Sequence, residues 1–480
     1  VARAIARRVL AESDERFAPH LLVGYDTRFL SQEFARAAAE AIAEEGVRVS
    51  VAERFAPTPA FSYAVVRLGA AGAVVVTASH NPPQYSGVKF KSAFGGSAPV
   101  SFTRGVEEEI RRLSAEYGGE SAEGRSPSAE REAPSANSSE PRTEAIQQAA
   151  GRRQQAGIES FDARGPWLDR LEQLVDVSRI GRGGIRVVLD VMYGSGQGLL
   201  AERLRKAGCD VRELHAEVNP SFGGLHPEPI PRYMRALMET VTGWDGAGHR
   251  VGFAFDGDSD RIGPVDEDGN VVSPHQTLAL LVRHLVRDRK ERGTVVKSVN
   301  IGHMVDLEAE ALGLPLVVTP IGFKFIAAAM QERDALVGGE ESGGFAMRGH
   351  IPERDPGLIC LLLLECMAMT GKSLGVLVRE MEGEYGPHRY GRVDLRLATL
   401  ADRDRVVQQV TSAPPRRLLD QPVVQADTLD GVKLVRTDQS WVMLRASGTE
   451  PLLRIYAEAP TETEVEALLA WGRDIAAGKE

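Results

Sequence analysis

Ala73-Val74-Val75-Val76-Thr77-Ala78-Ser79-His80-Asn81-Pro82-Pro83 is a valine-rich run that passes directly into a polar loop stiffened by proline. The run reads as a buried strand, and Ser79 lies just beyond its carboxyl end. In open α/β sheets, that is where ligands sit. Working outward, residues 21–25 form another short apolar run. Ser31 can cap a helix with Phe34, Ala38, Ala41 and Ile42 on one face. Residues 47–51 read as a strand and 59–68 as a helix. Strands and helices in turn imply βαβ units and a mainly parallel sheet.

The same rhythm resumes from Trp167. Strands are expected at 185–189 and 251–255, with a helix near 199–207. A third block has a helix from Ser273-Pro274 through 286, strands at 294–299 and 316–319, and helices at 304–312 and 323–332. The three blocks are similar in plan, which hints at duplication. The last hundred or so residues differ in period. Strands are expected at 393–397, 432–436, 442–444 and 452–457. A Thr461 to Glu464 capping box then opens a final helix. Residues 118–157 are rich in Ser, Glu, Pro and Arg, with Ile146 the only large aliphatic side chain. This composition predicts a disordered insertion. The boundaries follow as 1–158, 159–268, 269–384 and 385–480.

Length and composition agree with this division. The 480 residues, 43% hydrophobic and 26% charged, can build three or four cores. A formal net charge of -10 argues against nucleic acid or an anionic membrane as partner. An acidic protein that binds a phosphorylated metabolite must gather cations locally. Cys209, Cys360 and Cys366 show no C-x-x-C pair and no zinc spacing, which fits a reducing cytoplasm. No run reaches the ~20 apolar residues of a membrane span. Residues 1–10 read as an amphipathic helix that begins inside a domain, as in a truncated chain.

Four loops carry candidate chemistry. In the first, Ser79 and His80 are adjacent and so point apart, which disfavours a direct Ser–His relay. No G-x-S-x-G elbow occurs. An ordinary Ser/Asn/Pro turn is the alternative. The second is Asp256-Gly257-Asp258-Ser259-Asp260-Arg261, where carboxylates at alternate positions can converge on Mg²⁺ or Ca²⁺. An EF-hand loop needs Gly where Arg261 stands and follows a helix, not a strand. The third, 338–344 (Gly-Gly-Glu-Glu-Ser-Gly-Gly), offers Glu340 and Ser342 to sugar hydroxyls on a glycine frame. The fourth, 445–451 (Arg-Ala-Ser-Gly-Thr-Glu-Pro), has Arg454 beyond it. It combines guanidinium, hydroxyls and close backbone approach, as a phosphate cradle would. Residues 193–198 resemble a dinucleotide loop, but Leu199 replaces the required third glycine.

Taken in this order, the four loops resemble those of the α-D-phosphohexomutase superfamily, which includes phosphoglucomutases and phosphomannomutases. The resemblance implies four domains around a central cleft: three similar α/β mixed-sheet domains and a C-terminal α+β lid. It implies Ser79 as phosphoryl carrier, with His80, Lys89 and Arg28 in the catalytic set and Lys89 as proton-transfer group. Asp256, Asp258 and Asp260, with Ser79, would hold Mg²⁺. Arg261, Gly322, Lys324, Glu340 and Ser342 would contact the sugar. Arg445, Ser447, Gly448, Thr449 and Arg454 would bind phosphate. Glucose 1,6-bisphosphate is the implied activator and a hexose phosphate the substrate, in a cytoplasmic enzyme. The resemblance leaves the oligomeric state open. His226 falls in a family-like stretch, although a structural histidine is the simpler reading.

Two departures matter. The Gly-Thr-x-Gly-x-Arg segment that usually opens the family is absent. Gly344 stands where many bifunctional members and glucosamine mutases carry His. With Phe323-Lys324 and the Glu-Glu-Ser run, this favours glucose 1- and 6-phosphate, with mannose phosphate next. Phosphoglucosamine mutase, a sugar-phosphate phosphatase and a non-catalytic binding protein are the alternatives.

Overall fold

Among the described residues of the computed structural model, three of the four sheets share one strand order. The structure describes residues 1–13, 19–118, 158–448 and 450–478, so most of the insertion expected at 118–157, and Thr449, lie outside the described residues. In the first sheet, His20–Tyr25, Arg48–Ala52 and Gly72–Val76 run parallel and Val88–Ser92 returns antiparallel. The second repeats this with Arg186–Asp190, Asp210–Leu214, Arg250–Phe255 and the returning Ile262–Val265. The third uses Thr294–Ser298, Leu316–Thr319, Ala335–Glu340 and the returning Gly344–Met347. Counted along the chain within each sheet, the spatial order is 2-1-3-4 every time. Each of the first three candidate loops therefore occupies the same place, between the third strand and the antiparallel fourth. Gly72–Val76 and Arg186–Asp190 are buried at every residue, as strands sandwiched between helices must be.

Three local readings change. Glu159–Phe161, which the sequence places in the second domain, pairs with Arg48–Ala52 as the outer strand of the first sheet. Helix Ser31–Glu44 buries Ser31, Ala35, Ala39 and Ile42 and leaves Phe34 46% exposed. Of the expected face, Ile42 is in the core and Ala38 packs against it, while Phe34 faces outward and the small Ser31, Ala35 and Ala39 make the close contact. Gly338 and Gly339 belong to strand Ala335–Glu340 rather than to a flexible loop. They are small for packing reasons. A Cβ at Gly338 would lie 2.7 Å from Ile326 and Met330, and one at Gly339 would lie 2.5 Å from Phe345.

The fourth domain is a six-stranded antiparallel sheet. Its spatial order is Arg389–Arg396, Leu452–Ala459, Trp441–Ala446, Val432–Arg436, Gln421–Asp427 and Arg417–Leu418. Helices Leu400–Ser412 and Glu462–Ala476 complete a separate core around Leu434, Leu444 and Ile455. Strand alternation puts Trp441, Met443 and Tyr456 on the other face, where they close over Val299 of the third domain. The Thr461 side chain accepts from the Glu464 N–H, starting the last helix as its sequence predicts. Among the described residues no single helix is long and apolar enough to cross a membrane.

Candidate active site

Ser79 adopts φ 55°, a left-handed conformation that costs a non-glycine residue about 1–3 kcal/mol. The surrounding bonds impose it. Thr77 Oγ1 accepts the Ser79 N–H at 2.9 Å. The buried Arg28 guanidinium donates to the carbonyls of Ser79 (2.6 Å), Asn81 (2.6 Å), Pro82 (2.9 Å) and Tyr85 (3.1 Å). Arg28 is itself balanced by Asp26 at 3.2 Å and lies over the Phe222 ring. A planar fork of donors suits this task, whereas a lysine ammonium does not. The Ser79 hydroxyl is left facing Asp256, with Oγ 3.2 Å from Oδ2.

Asp256, Asp258 and Asp260 are fully buried, and their carboxylate oxygens converge within 4.8 Å of one another. Asp256 Oδ1 accepts the N–H groups of Asp260 and Arg261, which curls the loop back on itself. Asp258 Oδ2 accepts from Thr58 at 2.6 Å and from Lys89 Nζ at 2.7 Å. Asp260 Oδ2 accepts from Lys89 at 2.7 Å and from Arg354 at 2.6 Å. Oδ1 of Asp258 and Oδ1 of Asp260 are buried without a hydrogen-bond partner. Buried, unsatisfied anionic oxygens beside a hydroxyl fit a hard divalent cation.

The charges divide unevenly. Burial and the neighbouring Asp260 and Asp258 push the Asp256 carboxyl well up. Burial also acts upward on Asp260, but Arg354, Lys89 and Arg261 outweigh it and hold that group ionised. For Lys89, burial pulls down, and the Asp258 and Asp260 carboxylates more than compensate, leaving it a firm ammonium.

The third loop joins this centre through Arg354. Its guanidinium reaches Asp260 on one side and Glu340 Oε1 at 2.9 Å on the other, and Ser342 Oγ donates to the same Glu340 oxygen at 2.6 Å. Its stem lies across Gly344, where a Cβ would sit 2.1 Å from Arg354 Cδ. Gly322 takes φ 130° ahead of helix Phe323–Glu332. Lys324 is exposed, with its ammonium over Phe325. His80 lies near Glu228 (3.9 Å) rather than paired with Ser79. Burial, then the Arg261 charge, lowers it to about 3, so its ring is neutral. His226 stacks on Tyr233, and Arg261 reaches toward Glu228 at 3.7 Å.

In the fourth domain, Arg445 and Arg454 are directly opposed across adjacent strands. Like charges in that register repel, and each has only partial relief. Arg445 Nε pairs with Asp430 at 3.0 Å, while Arg454 Nε lies 3.9 Å from Asp394. Asp430 also accepts the Ile321 N–H of the third domain at 2.9 Å. The buried Arg403 shapes the loop by donating to the Ser447 and Glu450 carbonyls. Gly448 is exposed.

Arg354, Thr58, Asp430 and Arg403 escape the sequence reading. Arg354 is preceded by Pro352-Glu353 and followed by Asp355-Pro356, a charged knot before the very apolar helix Pro356–Thr370. Nothing local names its partner, Asp260, which lies 94 residues away.

This fold, with a hydroxyl, a carboxylate cluster and paired arginines drawn from different domains, is that of a phosphotransferase-type isomerase. Models of phosphoglucomutase/phosphomannomutase domains I, II, III and the C-terminal domain match residues 1–116, 165–269, 273–385 and 401–471. The chain is 28% identical to a phosphoglucomutase/phosphomannomutase of Thermococcus kodakarensis, covering 96% of this chain and 91% of the relative. It is 30% identical to the phosphoglucosamine mutase of Rubrobacter xylanophilus, over 96% of this chain and 92% of that one. A solved structure from Thermus thermophilus, described as a phosphomannomutase, superposes with a TM-score of 0.79 at 34% identity, covering 99% and 94% of the two chains. The chain belongs to the phosphoglucomutase/phosphomannomutase family of α-D-phosphohexomutases.

Proposed function

We propose that the chain interconverts glucose 1-phosphate and glucose 6-phosphate through phospho-Ser79 and a bound hexose 1,6-bisphosphate. The observation that carries this reading is the approach of the strained Ser79 hydroxyl to the buried carboxylate cluster, 3.2 Å from Asp256. Ser79 would pass its phosphoryl group to a sugar hydroxyl. After the bisphosphate turns over, Ser79 would take back the phosphate from the other end. Such transfer rests on positioning and charge neutralisation. Asp256, Asp258 and Asp260 would hold Mg²⁺, whose chemistry when bound is to neutralise the serine phosphate. With Mg²⁺ drawing on the same Asp258 and Asp260 carboxylates, the Lys89 ammonium would be less firmly held as a cation, and Nζ would exchange protons with the attacking and leaving oxygens. Arg28 fixes the serine loop. Glu340, oriented by Arg354 and Ser342, would accept from sugar hydroxyls, while Arg261, Gly322 and Lys324 would border the sugar. Arg445, Ser447, Gly448, Thr449 and Arg454 would grip the phosphate not in transfer and relieve the Arg445–Arg454 repulsion. Closure of the fourth domain would keep water away from the transfer.

Glu340 is already neutralised by Arg354, so it offers a sugar hydroxyl an acceptor without net charge for an ammonium. That supports glucose over glucosamine phosphate, the second reading, which the name of the Rubrobacter relative keeps in view. The test is peptide mapping after treatment with glucose 1,6-bisphosphate and Mg²⁺, alongside turnover of glucose, mannose and glucosamine phosphates. One phosphate on the Ser79 peptide, with turnover, and loss of both in Ser79→Ala, is expected. Turnover in Ser79→Ala overturns the mechanism. A higher kcat/KM for glucosamine 6-phosphate overturns the glucose assignment alone.

A further inference from the structure

Far along the chain from the serine loop, helix Pro274–Arg283 continues into a single π-helical turn, His284–Asp288. Such turns often mark functional positions. This one packs against helix Pro356–Thr370, bringing together His284, Asp288 and Cys366, whose ligand atoms lie within 4.8 Å of one another. His284 and Cys366 are buried, and the Asp288 side chain is 23% exposed. We infer that these three side chains form a second cation site, for Zn²⁺ or another thiophilic divalent ion, independent of the aspartate loop.

The argument rests on orientation as well as proximity. His284 Nε2 lies 3.0 Å from Glu365 Oε2, and that carboxylate is fixed by Arg289 at 3.2 Å and the Asp176 N–H at 3.0 Å. A histidine that donates one ring N–H to a carboxylate has its other nitrogen aimed as a ligand, the usual arrangement around protein zinc. Here that nitrogen is Nδ1, 2.8 Å from Asp288 Oδ2, and the same oxygen is 4.0 Å from Cys366 Sγ. Tetrahedral zinc with ordinary bond lengths would need about 3.4 Å for the first separation and about 3.6 Å for the second. Shifts of roughly half an ångström bring all three ligands into place. Asp288, at the surface, leaves the fourth position to water.

Cysteine spacing could not reveal the site, since it uses one cysteine and a helical histidine 82 positions earlier, 366 against 284.

The test is titration of the full chain with Co²⁺, followed by its near-ultraviolet thiolate-to-cobalt charge-transfer band, which carboxylate sites cannot produce. One equivalent per chain should give the band in the wild type and in Asp256→Asn. Cys366→Ser should abolish it while keeping mutase turnover with Mg²⁺. Asp288→Asn, which keeps the side chain's shape, should weaken Co²⁺ binding at least about tenfold, with the fold checked by its melting temperature. No thiolate band in the wild type, or a band that survives Cys366→Ser, overturns the proposal.

Discussion

Around Ser79, chemistry is built into a rigid frame. Around Ser447, recognition is left open. Ser79 has its backbone conformation dictated by Arg28 and Thr77, and its hydroxyl faces carboxylates contributed by a second domain. Ser447 belongs to a loop held from behind by Arg403, with an exposed glycine after it and two opposed arginines beside it. The contrast suits a reaction whose donor must stay within bonding distance while the ligand is turned end for end. Immobilising both ends would stop that rotation. Under the proposed mechanism, the cost of strain is concentrated where the phosphoryl group would change partner.

Four experiments probe this contrast, in falling order of effect. Ser79→Ala should reduce turnover by at least about 10⁴-fold while leaving substrate binding measurable by calorimetry, since the nucleophile acts only in the chemical step. Arg28→Ala should lower kcat by about 10²–10³-fold and cost roughly 3–5 kcal/mol of stability, because Asp26 is left buried and unpaired. A denaturant melt and steady-state kinetics check both. If Arg28→Ala keeps kcat, the frame around Ser79 is not what positions it. Arg445→Ala should act on KM, raising it about 10–100-fold with a small change in kcat, as expected of a binding contact. A kcat-dominated loss would erase the distinction between the two regions.

The smallest effect concerns how the fourth domain is seated. Lys433 donates to the Val299 carbonyl at 2.9 Å and lies over Trp441. Burial, then the Lys297 charge, lowers Lys433 to about 7. The unfolded chain keeps that proton up to about pH 10.4. Between these values the unfolded state binds more protons, so stability rises with pH across this window, and the cost is greatest below pH 7. Lys433→Met should remove that rise. A gap of a few degrees in melting temperature at pH 7 should close toward pH 10, read by scanning calorimetry.

Much of the frame was legible because it rests on local pattern. The valine runs, the Thr461 start and the strand-then-loop punctuation name their elements without knowledge of neighbours, whereas Ser31 opens its helix without capping it, its hydroxyl donating to Asp26 instead. The four loops were legible because hydroxyls, carboxylates and guanidinium cluster within a few residues of one another. What escaped is what the fold brings from afar. Thr58 meets Asp258 across 200 positions and Arg354 meets Asp260 across 94, and neither has a motif of its own. Gly338 and Gly339 misled for the related reason that glycine signals a turn and close packing alike, and only Phe345, Ile326 and Met330 decide between them.

Gly344 and Arg354 carry an evolutionary consequence. The arginine stem occupies the volume a side chain at 344 would need, and its head is fastened to Asp260 and Glu340. A histidine cannot enter at 344 until position 354 has shrunk, and shrinking 354 first strips Glu340 of its counter-charge. The two sites are therefore epistatic. Single-step exchange between these two versions of the sugar loop passes through a disabled intermediate, so lineages that differ here should differ at both positions together.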